Sequence, residues 1–104
     1  MRFLILALIL VTVPARAQPV EGSDLMRGMQ KMDHEMMTAP MNGNVDHDFV
    51  SMMVPHHRGA VEMSQTYLKT GRDPEIRKLA QEIIDGQVKE IRFMRGWQAR
   101  HMPH

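Results

Sequence analysis

The chain has 104 residues, 13 Lys and Arg against 12 Asp and Glu, and no cysteine. Its length allows one small domain, the missing thiols exclude a disulfide scaffold, a thiolate zinc site, an iron–sulfur cluster and a cysteine nucleophile, and a formal charge of +1 offers no basic field for nucleic acid. Against three Phe, one Tyr and one Trp stand 12 Met and six His, an imbalance that needs a reason because methionine is ordinarily a sparing filler of irregular cores.

Residues 1–17 open with Arg2, continue through the apolar run from Phe3 to Val11 and end in Ala15-Arg16-Ala17, a small-x-small pattern. This is the anatomy of a cleaved secretory signal peptide, with an apolar run well short of the roughly 20 residues of a transmembrane helix. The expected location is periplasmic or secreted, with no stable membrane insertion after cleavage. Loss of Arg2 and Arg16 takes the formal charge from +1 to −1, which further disfavours a polyanionic partner. In an oxidising compartment a chain without Cys holds a soft metal by thioether or imidazole.

Residues 18–22 read as a lead, and Ser23 is the predicted N-cap of a first helix running to about Met37, with Leu25, Met29, Met32 and Met36 on one stripe. Pro40 and Asn42-Gly43 then interrupt the pattern. The spacing predicts a second helix from Asp46, as N-cap, to Thr70, with Gly71 as a left-handed cap. Along it Phe49, Met52, His56, Met63 and Tyr67 share one line, and Val50, Val54, His57, Val61 and Leu68 another. Ser51, Arg58, Glu62, Gln65 and Lys69 form the expected polar side. Pro55 should bend this helix by stranding the Ser51 carbonyl.

Asp73-Pro74, with Glu75 behind it, announces a third helix. Ile76, Leu79, Ala80, Ile83, Ile84, Ile91 and Met94 share an arc reaching Trp97, and the polar Gln87, Glu90 and His101 fall inside it. No stretch alternates with period two, so the predicted class is all-α. The expected organisation is a signal peptide over 1–17, a Met-rich N-terminal segment with a short helix over 18–44, and a helical-hairpin metal-binding domain over 45–104. The apolar face of the second helix is too wide for a single antiparallel partner. A four-helix bundle formed by homodimerisation of the hairpin is therefore expected, with a self-contained three-helix monomer as the competing arrangement.

Met26, Met29, Met32, Met36, Met37 and Met41 crowd thioethers at close helical spacings, where neighbouring side chains can converge on one ion. A thioether is neutral, soft and not protonated away, which suits Cu(I) or Ag(I) and not Zn, Mg or Ca. The same residues also serve as pliable packing or as an adaptable surface for a protein partner. On the second helix Met52 precedes His56, and Met53 precedes His57, by one turn, with Met63 two turns beyond His56. Asp46-His47-Asp48 is a harder cluster that suits Cu(II), although capping explains its carboxylates equally well. An inward Glu90 either orients a histidine or pairs with a cation such as Arg58. The chain has no Glu-x-x-His, no His-Glu-x-x-His, no Gly-rich phosphate loop and no nucleophile elbow, which disfavours an enzyme.

The run from Asp46 to Met63, containing Met52-Met53-Val54-Pro55-His56-His57, together with Leu79-Ala80, Ile83-Ile84, Gln87, Glu90-Ile91, Met94 and Trp97, resembles the secreted ferritin-like family first catalogued as a domain of unknown function, number 305, which includes the CopM-type copper metallochaperones. The resemblance implies an all-α bundle and binding of copper, or silver, by Met and His for tolerance or delivery, with Met52, Met53, His56, His57, Met63, Glu90 and Met94 as the motif residues. Many members look like two such units in one chain, so a single unit is a second reason to expect a dimer. The resulting expectation is a copper-binding protein acting in sequestration, tolerance or delivery to a copper-recipient or copper-export protein. Its ligands would come from Met29, Met32, Met36, Met52, Met53, His56, His57, Met63, Glu90 and Met94. Its rivals are a non-metal helical interaction module with a Met-rich surface and a copper-dependent oxidase.

Overall fold

The computed structural model describes residues 23–101; the expected signal peptide over 1–17, the lead over 18–22 and the tail over 102–104 lie outside the described residues. Three helices, α1 (Asp24–Met37), α2 (Val45–Thr70) and α3 (Pro74–His101), account for nearly all of them, and no strand occurs among the described residues. The protein is all-α. Among the described residues α1 and α3 each pack along α2 and not against one another, so α2 is the central element.

Each helix begins where a side chain takes over an orphan backbone donor. The Ser23 hydroxyl accepts from Met26 N at 3.1 Å, and Asp73 Oδ1 accepts from Ile76 N at 3.0 Å, with Pro74 in the first turn where its missing N–H costs nothing. The cap of α2 is Asn44 and not Asp46. Its side chain accepts from His47 N at 3.0 Å, because Gly43 with φ 87° turns the chain one step earlier than the acidic residues suggest. Asp46 lies inside the first turn, where the helix dipole favours it.

Gly71 also departs from expectation. Its φ of −66° and ψ of 139° are extended, not left-handed. Glycine is required there for space, since a Cβ would run into the Tyr67 ring. The end of α2 is closed instead by Arg77, which donates to the carbonyls of Leu68 at 2.9 Å and Gly71 at 2.8 Å. α2 runs unbroken through Pro55, whose missing N–H leaves the Ser51 carbonyl without its helical donor.

The expected polar side of α2 is largely covered. Ser51 is buried and donates to the Pro40 carbonyl at 2.6 Å. Glu62 accepts from Lys31 at 3.1 Å and Arg58 stands 3.8 Å from Glu35, so α1 lies over this side and supplies its charge partners. Phe49, expected on an apolar line, is 61% exposed. The buried apolar side chains among those described are Val54, Pro55, Ala80 and Met94, while Ile76, Leu79 and Phe93 of α3 remain exposed. A single layer of three helices encloses little core, as expected for so small a domain.

Candidate metal centre

The α2–α3 seam holds His57, with His56 next to it on α2. His57 is 8% exposed. Its Nδ1 donates to the Met53 carbonyl at 2.8 Å, and its Nε2 meets Glu90 Oε2 from α3. Both ring nitrogens of His57 are thus taken up by hydrogen-bond partners within the protein. Glu90 thus orients a histidine, while Arg58 pairs with Glu35. The Glu90 side chain is 62% exposed, so the inward burial expected for it is corrected, and water meets part of its charge.

His56 is different. Its ring packs edge-on to His57, with centroids 5.7 Å apart and planes at 61°. Its Nδ1 is buried with no hydrogen-bond partner, and so is Oε1 of Gln87, one turn before Glu90 on α3. Buried polar atoms are normally satisfied, and an orphan calls for a ligand, ion or water. Met52 and Met53, one turn before the two histidines, are half-buried, and Met94 is buried.

The α1 methionines lie elsewhere. Met32 packs on Gly59 so closely that a Cβ there would stand 2.5 Å from its Cγ, and Met63 packs on Gly28, where the same distance is 3.2 Å. Each helix thus presents a glycine to the other's methionine. Met29 is 43% exposed and Met36 half-buried. Because α1 and α3 do not pack together, the α1 thioethers and the Glu90–Met94 stretch flank α2 separately. Among the described residues no three His, Asp or Glu side chains are grouped as a metal site.

The sequence profile of the family described as Domain of unknown function (DUF305) matches residues 11–98. The chain belongs to this family. The match takes in all of α2 and the seam, together with α1 and nearly all of α3. The chain is also similar to an uncharacterized protein of Acanthamoeba polyphaga mimivirus, 39% identical over 49 residues that span 47% of this chain and 32% of that protein. No described helix of this family member is long and apolar enough to cross a membrane.

The structure adds a feature that sequence patterning missed. A cleft of about 540 Å³ opens where the ends of α1 and α3 meet the first half of α2, with His47, Arg58, Arg95, Trp97 and His101 in its lining. His101, assigned to the inward arc, is exposed and stacks on Trp97 at 4.2 Å. His47 Nδ1 donates to Asp48 Oδ1 at 2.9 Å. That bond, with the backbone N–H groups of Asn42 and Gly43, holds the Asp48 carboxyl below its ordinary value. The signal that would have found the cleft is a contact between chain regions about fifty residues apart, which no local spacing encodes.

Proposed function

We propose that this chain binds Cu(I) in the α2–α3 seam, with the His56 imidazole and the Met52 and Met53 thioethers as ligands, and holds the ion for sequestration or delivery in the periplasm or outside the cell. The observation that carries this reading is the buried, unpartnered Nδ1 of His56, one helical turn after the half-buried Met52 and Met53. An unsatisfied buried polar atom costs about 1–3 kcal/mol, and a soft ion at His56 removes that cost. The Gln87 carbonyl oxygen, equally orphaned, is a second lone pair for a ligand sphere or its water. His57, tied at both nitrogens, and Glu90 have a positioning role. Copper is cargo on this reading, and no enzymatic step is assigned to the chain.

The proposal includes a second copy of the chain, completing a ferritin-like four-helix arrangement. What supports it is the exposed apolar trough between α1 and α3, where Leu25, Tyr67, Ile76, Leu79 and Ile83 line a groove of about 200 Å³. A recipient or exporter of copper is the partner that a delivery role requires.

The test is an anaerobic Cu(I) titration of the purified protein against a chromophoric competitor, with native mass recorded on the same samples. The reading expects saturable binding to a dimer, at least tenfold weaker in His56→Gln and in Met52→Leu/Met53→Leu. Protons compete for imidazole and not for thioether, so affinity should fall in mildly acidic solution and keep a thioether-dependent remainder. Unchanged affinity in His56→Gln contradicts the assignment. The exposure of Met37 at 85% and Met41 at 50% favours, as the second reading, an adaptable protein-binding surface. Leucine at 52 and 53 keeps the packing without the sulfur and so separates the two: lost Cu(I) affinity supports the copper reading, and unchanged affinity the surface reading.

A further inference from the structure

The cleft at the end of the bundle combines an unbalanced positive charge with apolar walls. Arg58 and Arg95 both line it, and Glu35 is the carboxylate among the lining residues. Glu35 stands 3.8 Å from Arg58 and is shared with Lys31 at 4.0 Å. Arg95 donates to the neutral Gln98 Oε1 at 3.4 Å. The cleft therefore holds one more guanidinium than carboxylate. Pro40 and Trp97 supply apolar walls, and the largely buried Val54 and Pro55 lie at the cleft's base. Trp97 is held by the parallel stack of His101, inclined 12°, and by the bond from His101 Nδ1 to the Trp97 carbonyl at 2.8 Å. A volume of about 540 Å³ lies within the range of small-molecule sites, which pair apolar walls with a few polar anchors.

We propose that this cleft binds a small organic acid with a flat apolar body, its carboxylate held by Arg95 and Arg58 and its body lying against Trp97 and the two prolines. Guanidinium forks match carboxylates in geometry and charge, and the indole and proline faces accept an apolar ring. Binding displaces the long Arg58–Glu35 contact in favour of a closer charge pair. The site shares no residue with the proposed copper ligands, so the two readings stand or fall separately.

Trp97 is the sole tryptophan of the chain, and its fluorescence reports on the cleft. The experiment titrates the purified protein with benzoate, cyclohexanecarboxylate, benzyl alcohol and inorganic phosphate. Both carboxylates should give a saturable change, benzyl alcohol none and phosphate a response at least tenfold weaker than benzoate. Arg95→Gln should weaken benzoate binding at least tenfold. Glu35→Gln, which removes the competing carboxylate, should tighten it several-fold, a gain that structural damage does not produce. His56→Gln should leave it unchanged. If Arg95→Gln loses helicity by circular dichroism, Glu35→Gln carries the test alone. No saturable change with benzoate, equal binding of benzyl alcohol or phosphate, or indifference to Glu35→Gln overturns the proposal.

Discussion

The two seams of α2 use methionine in different ways. Against α1, Met32 sits on Gly59 and Met63 faces Gly28, and the edge is closed by Lys31–Glu62 and Glu35–Arg58 pairs. Methionine acts there as an unbranched chain fitted over a bare backbone. Against α3, a buried histidine is tied to Glu90, and the histidine next to it has an unpartnered ring nitrogen. Methionine abundance therefore does not by itself mark a metal site, since packing accounts for Met32 and Met63.

The largest expected effect is at the seam with α3. Met94→Ala leaves a cavity in a thin core and should destabilise the fold by about 2–5 kcal/mol, whereas Met94→Leu should cost under about 1.5 kcal/mol; urea unfolding measures both. Next comes the α1 seam. Gly59→Ala drives a Cβ against the Cβ, Cγ and sulfur of Met32, too near the backbone for the side chain simply to swing away. A loss of about 1–2 kcal/mol should remain after the gain in helix propensity. Gly86→Ala is the control, because nothing lies within 4 Å of its Cβ position in α3, and it should stabilise by about 1 kcal/mol. Equal losses at Gly59 and Gly86 would break the interlock account. Met32→Leu should leave Cu(I) affinity within twofold, while Met52→Leu/Met53→Leu lowers it at least tenfold.

The smallest effect is that of acid on the α1–α2 connection. Asp48 accepts from Asn42 N at 2.9 Å and Gly43 N at 3.1 Å, and its carboxyl is held below the ordinary value of 3.8, first by His47. A lowered folded-state value stabilises above the unfolded value and is lost as pH falls through the folded one. Asp48→Asn should therefore weaken the connection at neutral pH, and the difference from wild type should vanish only below about pH 3.8, as amide exchange of Asn42 and Gly43 would show.

The helices were legible because their signals are local. Ser23, Pro40 with Gly43, and Asp73-Pro74 delimit all three within a residue or two. The misreadings concern position in space. Asp46 and Asn44 are both good caps, and the turn at Gly43 selects between them. Gly71 has the right identity for a left-handed cap, yet the Tyr67 ring explains it. Ser51, Arg58 and Glu62 look solvent-facing from composition, because a helix covered by partners of opposite charge has the same pattern as one covered by water. Within the candidate site, the i, i+4 spacing of Met52 with His56 and Met53 with His57 was readable. The asymmetry of the two histidines was not, since it depends on which ring reaches Glu90 across the seam.

That asymmetry is the central claim, and histidine-ring ¹⁵N NMR during titration with Ag(I), a redox-inert soft ion, tests it most directly. The account predicts that Nδ1 of His56 shifts in proportion to bound silver while both ring nitrogens of His57 stay unmoved. A shift at His57 with His56 unchanged, or stoichiometric silver binding that moves neither ring, would contradict it.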